Sequence, residues 1–314
     1  MRVAIIDLGT NTFNLFIAET KNNRFQELHK SKIAVRLGDG GINNKTITPD
    51  AFKRGISAIK THLTTIKSFA IENIYAFGTS AIRDAKNGKE FANTIKKAAN
   101  IDVSIISGDR EAELIYHGVK QAVSFNNRPF LIIDIGGGST EFIIANKSTI
   151  FWKKSYQLGI ARLLEKFQPS DPITKQEIDI IESYLLAEMV DLSEQVKLYQ
   201  PYTLIGSSGS FDSFVDMLNY TNAIPHLSAS IKTYDFNLPQ LTILHQNLLQ
   251  STLQERLKMN GLIPMRADMI VLASILSNLV IKAFVIKALK LSTYSLKEGV
   301  LWELMNNNPS SLTI

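Results

Sequence analysis

Residues 130–145, FLIIDIGGGSTEFIIA, bring together the residue types that phosphate chemistry needs. Gly136, Gly137 and Gly138 make a turn whose amides lie bare, with no Cβ to hold a ligand away, and Ser139 adds a hydroxyl. Asp134 precedes the turn and Glu141 follows it, which suits a hydrated Mg²⁺ riding on phosphate oxygens. The competing reading is a glycine-rich hairpin whose acids only face water. A short glycine motif does not separate the two.

The stretch has an echo. Residues 3–18, VAIIDLGTNTFNLFIA, align with it without a gap at an offset of 127, which sets Asp7 on Asp134 and Gly9 on Gly136. Residues 77–81, FGTSA, then match residues 205–209, IGSSG, at an offset of 128. Two matches at nearly one offset imply a duplicated domain, each copy opening with a strand, an acid and a glycine turn.

These turns need strands and helices to position them. Short apolar runs bounded by glycine read as buried strands in a hairpin. Further strands are expected at 26–37, 74–77 and 103–106, separated by a glycine-rich loop, a helix at 48–69 and a helix at 89–99. Asp109 is placed to cap a helix with Ala112, Ile115, Tyr116, Val119 and Val123 on its apolar face. The NNRP turn at 126–129 is the natural boundary, giving domains 1–126 and 127–297, with the C-terminal helix, 298–314, a candidate to complete the first. The second copy reads as a strand at 150–156, short helix 163–167, and one helix from 171–174 to about 198. Helices and loops punctuated by Pro225, Pro239 and Pro264 follow, then one apolar helix at 267–291. The alternation makes the fold class α/β.

Composition narrows the function classes. The 314 residues are 45% hydrophobic and 20% charged, ordinary for a globular protein, and the length predicts about two domains. With no cysteine, disulfides, thiolate metal sites and a cysteine nucleophile are excluded. The net charge of +5 is compatible with a polyanionic substrate, but the basic residues are scattered and no nucleic-acid-binding signature appears. The N-terminus enters a strand directly, without signal-peptide character. The longest uncharged stretch of the apolar helix, 269–281, is too short to span a bilayer, which takes roughly 18–20 residues. A cytoplasmic protein without membrane partners is expected. The five histidines show no metal-ligand spacing, and no Walker A, nucleophile-elbow or dinucleotide fingerprint is present.

Six segments, VAIIDLGTNTFNL, FGTSAIRDAKN, IISGDREAELIYHGV, LIIDIGGGSTE, GLIPMRADMIV and SLKEGVL, occur in an order that resembles the exopolyphosphatase/guanosine-pentaphosphate phosphohydrolase family over residues 3–302. The resemblance implies an actin-like architecture: two duplicated ribonuclease-H-like domains around a cleft. It implies a homodimer that uses Mg²⁺ to release orthophosphate from inorganic polyphosphate, with guanosine pentaphosphate as the alternative substrate. Glu111 matches the glutamate that activates the attacking water. Asp134 and Glu141 match the metal-linked carboxylates, with Asp7 opposite them, and Gly136, Gly137, Gly138 and Ser139 match the phosphate loop. Gly9, Thr10, Asn11 and Thr12 are expected across the cleft, and Arg83 matches an arginine that grips phosphate, unless it pairs with Asp84 or another nearby acid. Gly206, Ser207 and Ser208 form a second turn whose small polar side chains suit phosphate.

The chain departs from the family at Arg110, where an acid is common; a contact with a distal phosphate is one role for it. Arg266 and Asp268 either pair near the cleft or cap the apolar helix, and Lys297 and Glu298 are read as structural. The chain is similar to the short, two-domain form of the family, which favours shorter polyphosphates. Two other classes stay open: a kinase on the same core, and a sensor that binds polyphosphate or an alarmone without turnover.

Overall fold

The structure, a computed structural model, describes residues 1–21, 24–220 and 231–306. The expected turn at Pro225 and residues 307–314 of the C-terminal segment lie outside them. In chain order the first half comprises β1 (Arg2–Leu8), β2 (Thr12–Lys21), β3 (Arg24–Ala34), α1 (Pro49–Lys67), β4 (Asn73–Gly78), α2 (Ser80–Arg83), α3 (Gly88–Ala99), β5 (Val103–Ile105) and α4 (Gly108–Ala122). The second comprises β6 (Phe130–Ile135), β7 (Thr140–Ala145), β8 (Ile150–Tyr156), α5 (Ile160–Phe167), α6 (Lys175–Glu188), α7 (Val190–Tyr199), β9 (Thr203–Ser207), α8 (Gly209–Asn219), β10 (Thr233–Asp235), α9 (Leu238–Gln250), α10 (Leu253–Arg256), α11 (Ile270–Ala283), β11 (Ala288–Ser292) and α12 (Leu296–Asn306).

The duplication is visible in the hydrogen bonding. The first sheet has the order β3-β2-β1-β4-β5; the second repeats it as β8-β7-β6-β9-β11, with β10 added at the edge. Asp7 pairs across its hairpin with Asn14, and Asp134 with Glu141, the same register displaced by 127 residues. The turns match too: Gly9 N donates to Thr12 O at 3.1 Å and Gly136 N to Ser139 O at 3.0 Å. The second echo is out of register by two. Asp7 lies opposite Phe77 on β4, whereas Asp134 lies opposite Ser207 on β9, an offset of 130 rather than 128. Ser207 therefore occupies the place of Phe77, and Gly206 falls inside a strand.

Each half sends its last helix to the other. α4 follows the first sheet yet packs against β7 and β8, while α12 follows the second sheet and packs against β1. The two helices cross where glycine lets their backbones touch: a Cβ on Gly118 would lie 1.8 Å from Ser295 O, and one on Gly299 1.8 Å from Leu114 O. Their apolar faces, including Ala112, Ile115, Val119, Val300 and Leu301, share one core with Ile5, Phe16, Ile132, Ile143 and Ile205 from the two sheets.

Three expectations are corrected. α4 is capped by Ser107, whose Oγ accepts from Arg110 N at 3.2 Å; Asp109 lies inside the first turn. The helix expected to reach 198 is two helices, interrupted at Met189, where ψ rises to 25°. The apolar segment 267–291 ends as a strand: α11 stops at Ala283, and β11 follows, with buried Leu289 and Leu291 alternating with less buried Ala288 and Lys290. α11 is buried almost all round, so its sequence has no polar face to mark where helix gives way to strand.

Candidate active site

The glycine turns of the two halves meet. A Cβ on Gly137 would lie 2.6 Å from the Asn11 carboxamide, and one on Gly138 2.5 Å from Thr10 Oγ1 and 2.6 Å from Ser80 Oγ. Here glycine is required by the approach of the other half. The amides of Gly137 and Gly138 have no backbone acceptor among the described residues, so they remain free to donate to an anion. The opposing carbonyls are used instead to seat α5: Gly136 O accepts from Ile160 N at 3.0 Å and Gly137 O from Ala161 N at 2.9 Å.

Asp134, 5% exposed at the end of β6, accepts from three hydroxyls. Its Oδ2 accepts from Ser207 at 2.6 Å and Ser295 at 2.5 Å, and its Oδ1 from Ser208. Ser207 and Ser208, expected to face phosphate, are thus placed on the carboxylate. Gly206 packs: a Cβ there would lie 2.3 Å from the Phe211 ring. Ser295 escaped the sequence reading, although SLKE is a capping-box pattern. Glu298 does return to Ser295 N at 2.9 Å, while the hydroxyl turns to Asp134.

Glu141 lies beside Asp134 and accepts from Ser155 Oγ at 2.7 Å. Burial raises its carboxyl well above the usual range, and the neighbouring Glu111 and Asp134 push the same way. Asp7 accepts from Asn14 at 3.0 Å; burial raises its pKa, with the Lys297 charge opposing and Asp134 adding. Thr12 Oγ1 accepts from the same Asn14 amide at 3.4 Å, and Gly9 closes the turn beneath it.

Glu111 sits in the first turn of α4, 8% exposed. Arg83 Nη1 donates to it at 2.7 Å and to Ile106 O at 3.2 Å, and Arg83 Nε lies 3.6 Å from Asp84. The arginine therefore does pair with nearby acids. Burial lifts the Glu111 pKa to about 7 against the pull of Arg83, with Asp7 and Asp134 adding to the rise. A carboxylate that titrates near neutrality is matched to taking a proton from water.

Other groups fall into place around this centre. Lys297 is half-buried; desolvation lowers its pKa, but Glu298, Asp7 and Asp134 outweigh that and hold it charged. Arg110 is held by acids of the helices, with both terminal nitrogens on Glu303 of α12 and one on Glu113 at 3.3 Å. Arg266 does not pair with Asp268: it donates to Ser213 Oγ at 2.8 Å, and Asp268 takes Arg36 at 2.9 Å. Arg162, buried and unanticipated, donates to Gly138 O, Ile42 O and Asp84, each at 3.1 Å.

A magnesium ion at these acids would have to take most of its ligands from water and phosphate oxygens. Among the described residues no three acidic or histidine side chains form a cage for a metal by themselves. Yet Asp7 and Glu141 each have their proton affinity raised by Asp134, which is repulsion a divalent cation would relieve. Such an ion keeps waters and phosphate oxygens as its remaining ligands.

Duplicated halves with facing acid–glycine turns and exchanged helices define a two-domain, actin-like phosphate-handling fold. The sequence profile of the Ppx/GppA phosphatase family matches residues 16–308, and the chain belongs to that family of enzymes. The crystal structure of an exopolyphosphatase from Cytophaga hutchinsonii superposes with a TM-score of 0.94 at 40% identity, covering 98% of both chains. An Aquifex aeolicus member of the Ppx/GppA family superposes with a TM-score of 0.80 at 26% identity, over 98% of this chain and 99% of that one. A Haemophilus influenzae protein provisionally assigned as an exopolyphosphatase is 29% identical over 305 residues, 97% of this chain and 92% of its own. Among the described residues no helix is long and apolar enough to cross a membrane.

Proposed function

We propose that this phosphatase is an exopolyphosphatase that releases terminal orthophosphate from inorganic polyphosphate by attack of a water activated by Glu111. The observation that carries the reading is Glu111, a buried carboxylate held by Arg83 at 2.7 Å, whose burial pushes its pKa up to about 7. The water oxygen bonds to the terminal phosphorus as its proton passes to Glu111; the bridging P–O bond breaks, and the shortened chain leaves with the bond electrons. Free amides of Gly137 and Gly138, the Arg83 guanidinium and the Lys297 ammonium balance charge on the non-bridging oxygens. Thr10, Asn11 and Ser139 line the same junction. Mg²⁺ shared between substrate oxygens, water and one or two of the carboxylates Asp134, Glu141 and Asp7 would supply further charge neutralisation. The name of the Cytophaga relative supports polyphosphate over guanosine pentaphosphate. We place the enzyme in the cytoplasm as a homodimer.

The test is phosphate release with Mg²⁺ from polyphosphates of defined length, guanosine pentaphosphate and ATP. Short polyphosphates are expected to give the highest kcat/KM. A higher value for guanosine pentaphosphate shifts the assignment to that substrate. Processive digestion of chains hundreds of units long would refute the preference for short ones. Tight binding without release would make the protein a sensor, and transfer from ATP to an alcohol would make it a kinase.

A further inference from the structure

Arg162 is a cation with no direct role in the hydrolysis just described, yet it is 6% exposed and all three of its nitrogens are engaged. Burying a guanidinium is costly unless its donors are matched. Its acceptors come from three separate loops: Gly138 O of the phosphate-loop turn, Ile42 O of the glycine-rich loop after β3, and Asp84 Oδ2 at the end of α2. Asp84 is itself a junction. Its Oδ2 also accepts from Ser80 Oγ at 3.1 Å, and its Oδ1 lies 3.6 Å from Arg83 Nε. Arg83 then reaches Glu111 at 2.7 Å. Alternating charges, Arg162, Asp84, Arg83 and Glu111, therefore run from the turn that receives the phosphate to the carboxylate that receives the proton. The first link crosses between the halves of the molecule.

We propose that Arg162 and Asp84 are a positioning pair that fixes Glu111 against the phosphate-loop turn through Arg83, so that the two halves present one reactive geometry. The proposal rests on the hydrolase reading. Neither residue needs to touch substrate; Arg162 divides Asp84's attraction for Arg83, and Asp84 divides Arg83's attraction for Glu111. The groups facing the pair are Arg83, Glu165 and Tyr184, and those facing Glu111 are Arg83, Asp7, Asp134 and Glu141.

The test measures kcat/KM for phosphate release against pH in wild type, Arg162→Met and Asp84→Asn. Without the Arg162 charge, Asp84 draws Arg83 off Glu111, and the acid limb moves to higher pH. Without the Asp84 carboxylate, Arg83 is left to Glu111, and the limb moves to lower pH. Opposite displacements of more than about 0.3 pH are expected. A loss of kcat/KM on the order of 100-fold in Arg162→Met should accompany them, since misplacement by an ångström costs that much. Arg162→Lys, which keeps the charge but not the fork, should fall between, with its limb near that of wild type. Limbs that stay put, or that move together, overturn the proposal. If Arg162→Met does not fold, Asp84→Asn decides alone: a limb at lower pH supports the pair and an unmoved limb refutes it. If wild type itself releases no phosphate, the hydrolase reading fails. The pair is then judged by carbon-13 NMR titration of the Glu111 carboxyl in the same variants, with the resonance identified by its loss in Glu111→Gln.

Discussion

Glu111→Gln separates what the glutamate does for chemistry from what it costs the fold. Glutamine keeps the shape and imitates the protonated acid, so the variant lacks both the base and the buried charge. The folded pKa of about 7 lies above the ordinary 4.5, so the folded state holds the proton more tightly than the unfolded chain. The stabilising contribution of the protonated form is therefore complete below pH 4.5 and is lost as pH rises towards 7. At 1.36 kcal/mol per pKa unit, that gap is on the order of 3 kcal/mol. Urea unfolding at pH 5 and pH 8 reads it directly. Wild type should weaken between the two, and Glu111→Gln should gain relative to wild type by about 3 kcal/mol less whatever part of the change lies below pH 5. Phosphate release should fall by about 10²- to 10⁴-fold, the usual contribution of a positioned base. The wild-type kcat/KM should decline below about pH 7 as the base takes up its proton. Parallel pH-stability curves for the two proteins would refute the burial argument, and activity retained within about threefold would refute the role as base.

Three further substitutions probe the scaffold. Gly137→Ala places a methyl against the Asn11 carboxamide, forces the two turns apart, and should cost about 1–3 kcal/mol along with most activity; thermal unfolding and phosphate release check it. Gly299→Ala drives a Cβ into the Leu114 carbonyl at the crossing of α4 and α12, where backbone cannot yield as a side-chain tip can. Its loss should exceed that of Gly137→Ala in urea unfolding, and equal stability would mean that the helices do not cross there. Arg110→Ala leaves Glu303, 3% exposed, without its fork-shaped partner, and should destabilise by about 3–5 kcal/mol. Because the Arg110 guanidinium is taken up by Glu303 and Glu113, KM should stay unchanged in the folded fraction, and a raised KM would return Arg110 to the substrate.

The hairpins and their duplication were legible in the sequence because they are local. A strand, an acid and a glycine turn set their own register, so the 127-residue offset reappears in the pairing of Asp7 with Asn14 and of Asp134 with Glu141. The helical start that carries Glu111 was legible for the same reason, one residue-pair error in its cap aside. What the sequence left open lies across distance. Asp134 is satisfied by serines 73, 74 and 161 residues away, and nothing in DIGGGSTE announces them. Arg162 drew no notice in the sequence, because its partners Ile42 and Asp84 lie 120 and 78 residues away. The boundary between α11 and β11 was hidden because burial on every side erases the periodicity that distinguishes helix from strand. Sequence alone thus determined the strand–acid–glycine hairpins and that they come in two copies. Only the tertiary structure decided which of them meet, because a buried hydrogen bond between distant segments depends on how the halves pack and leaves no pattern in either segment.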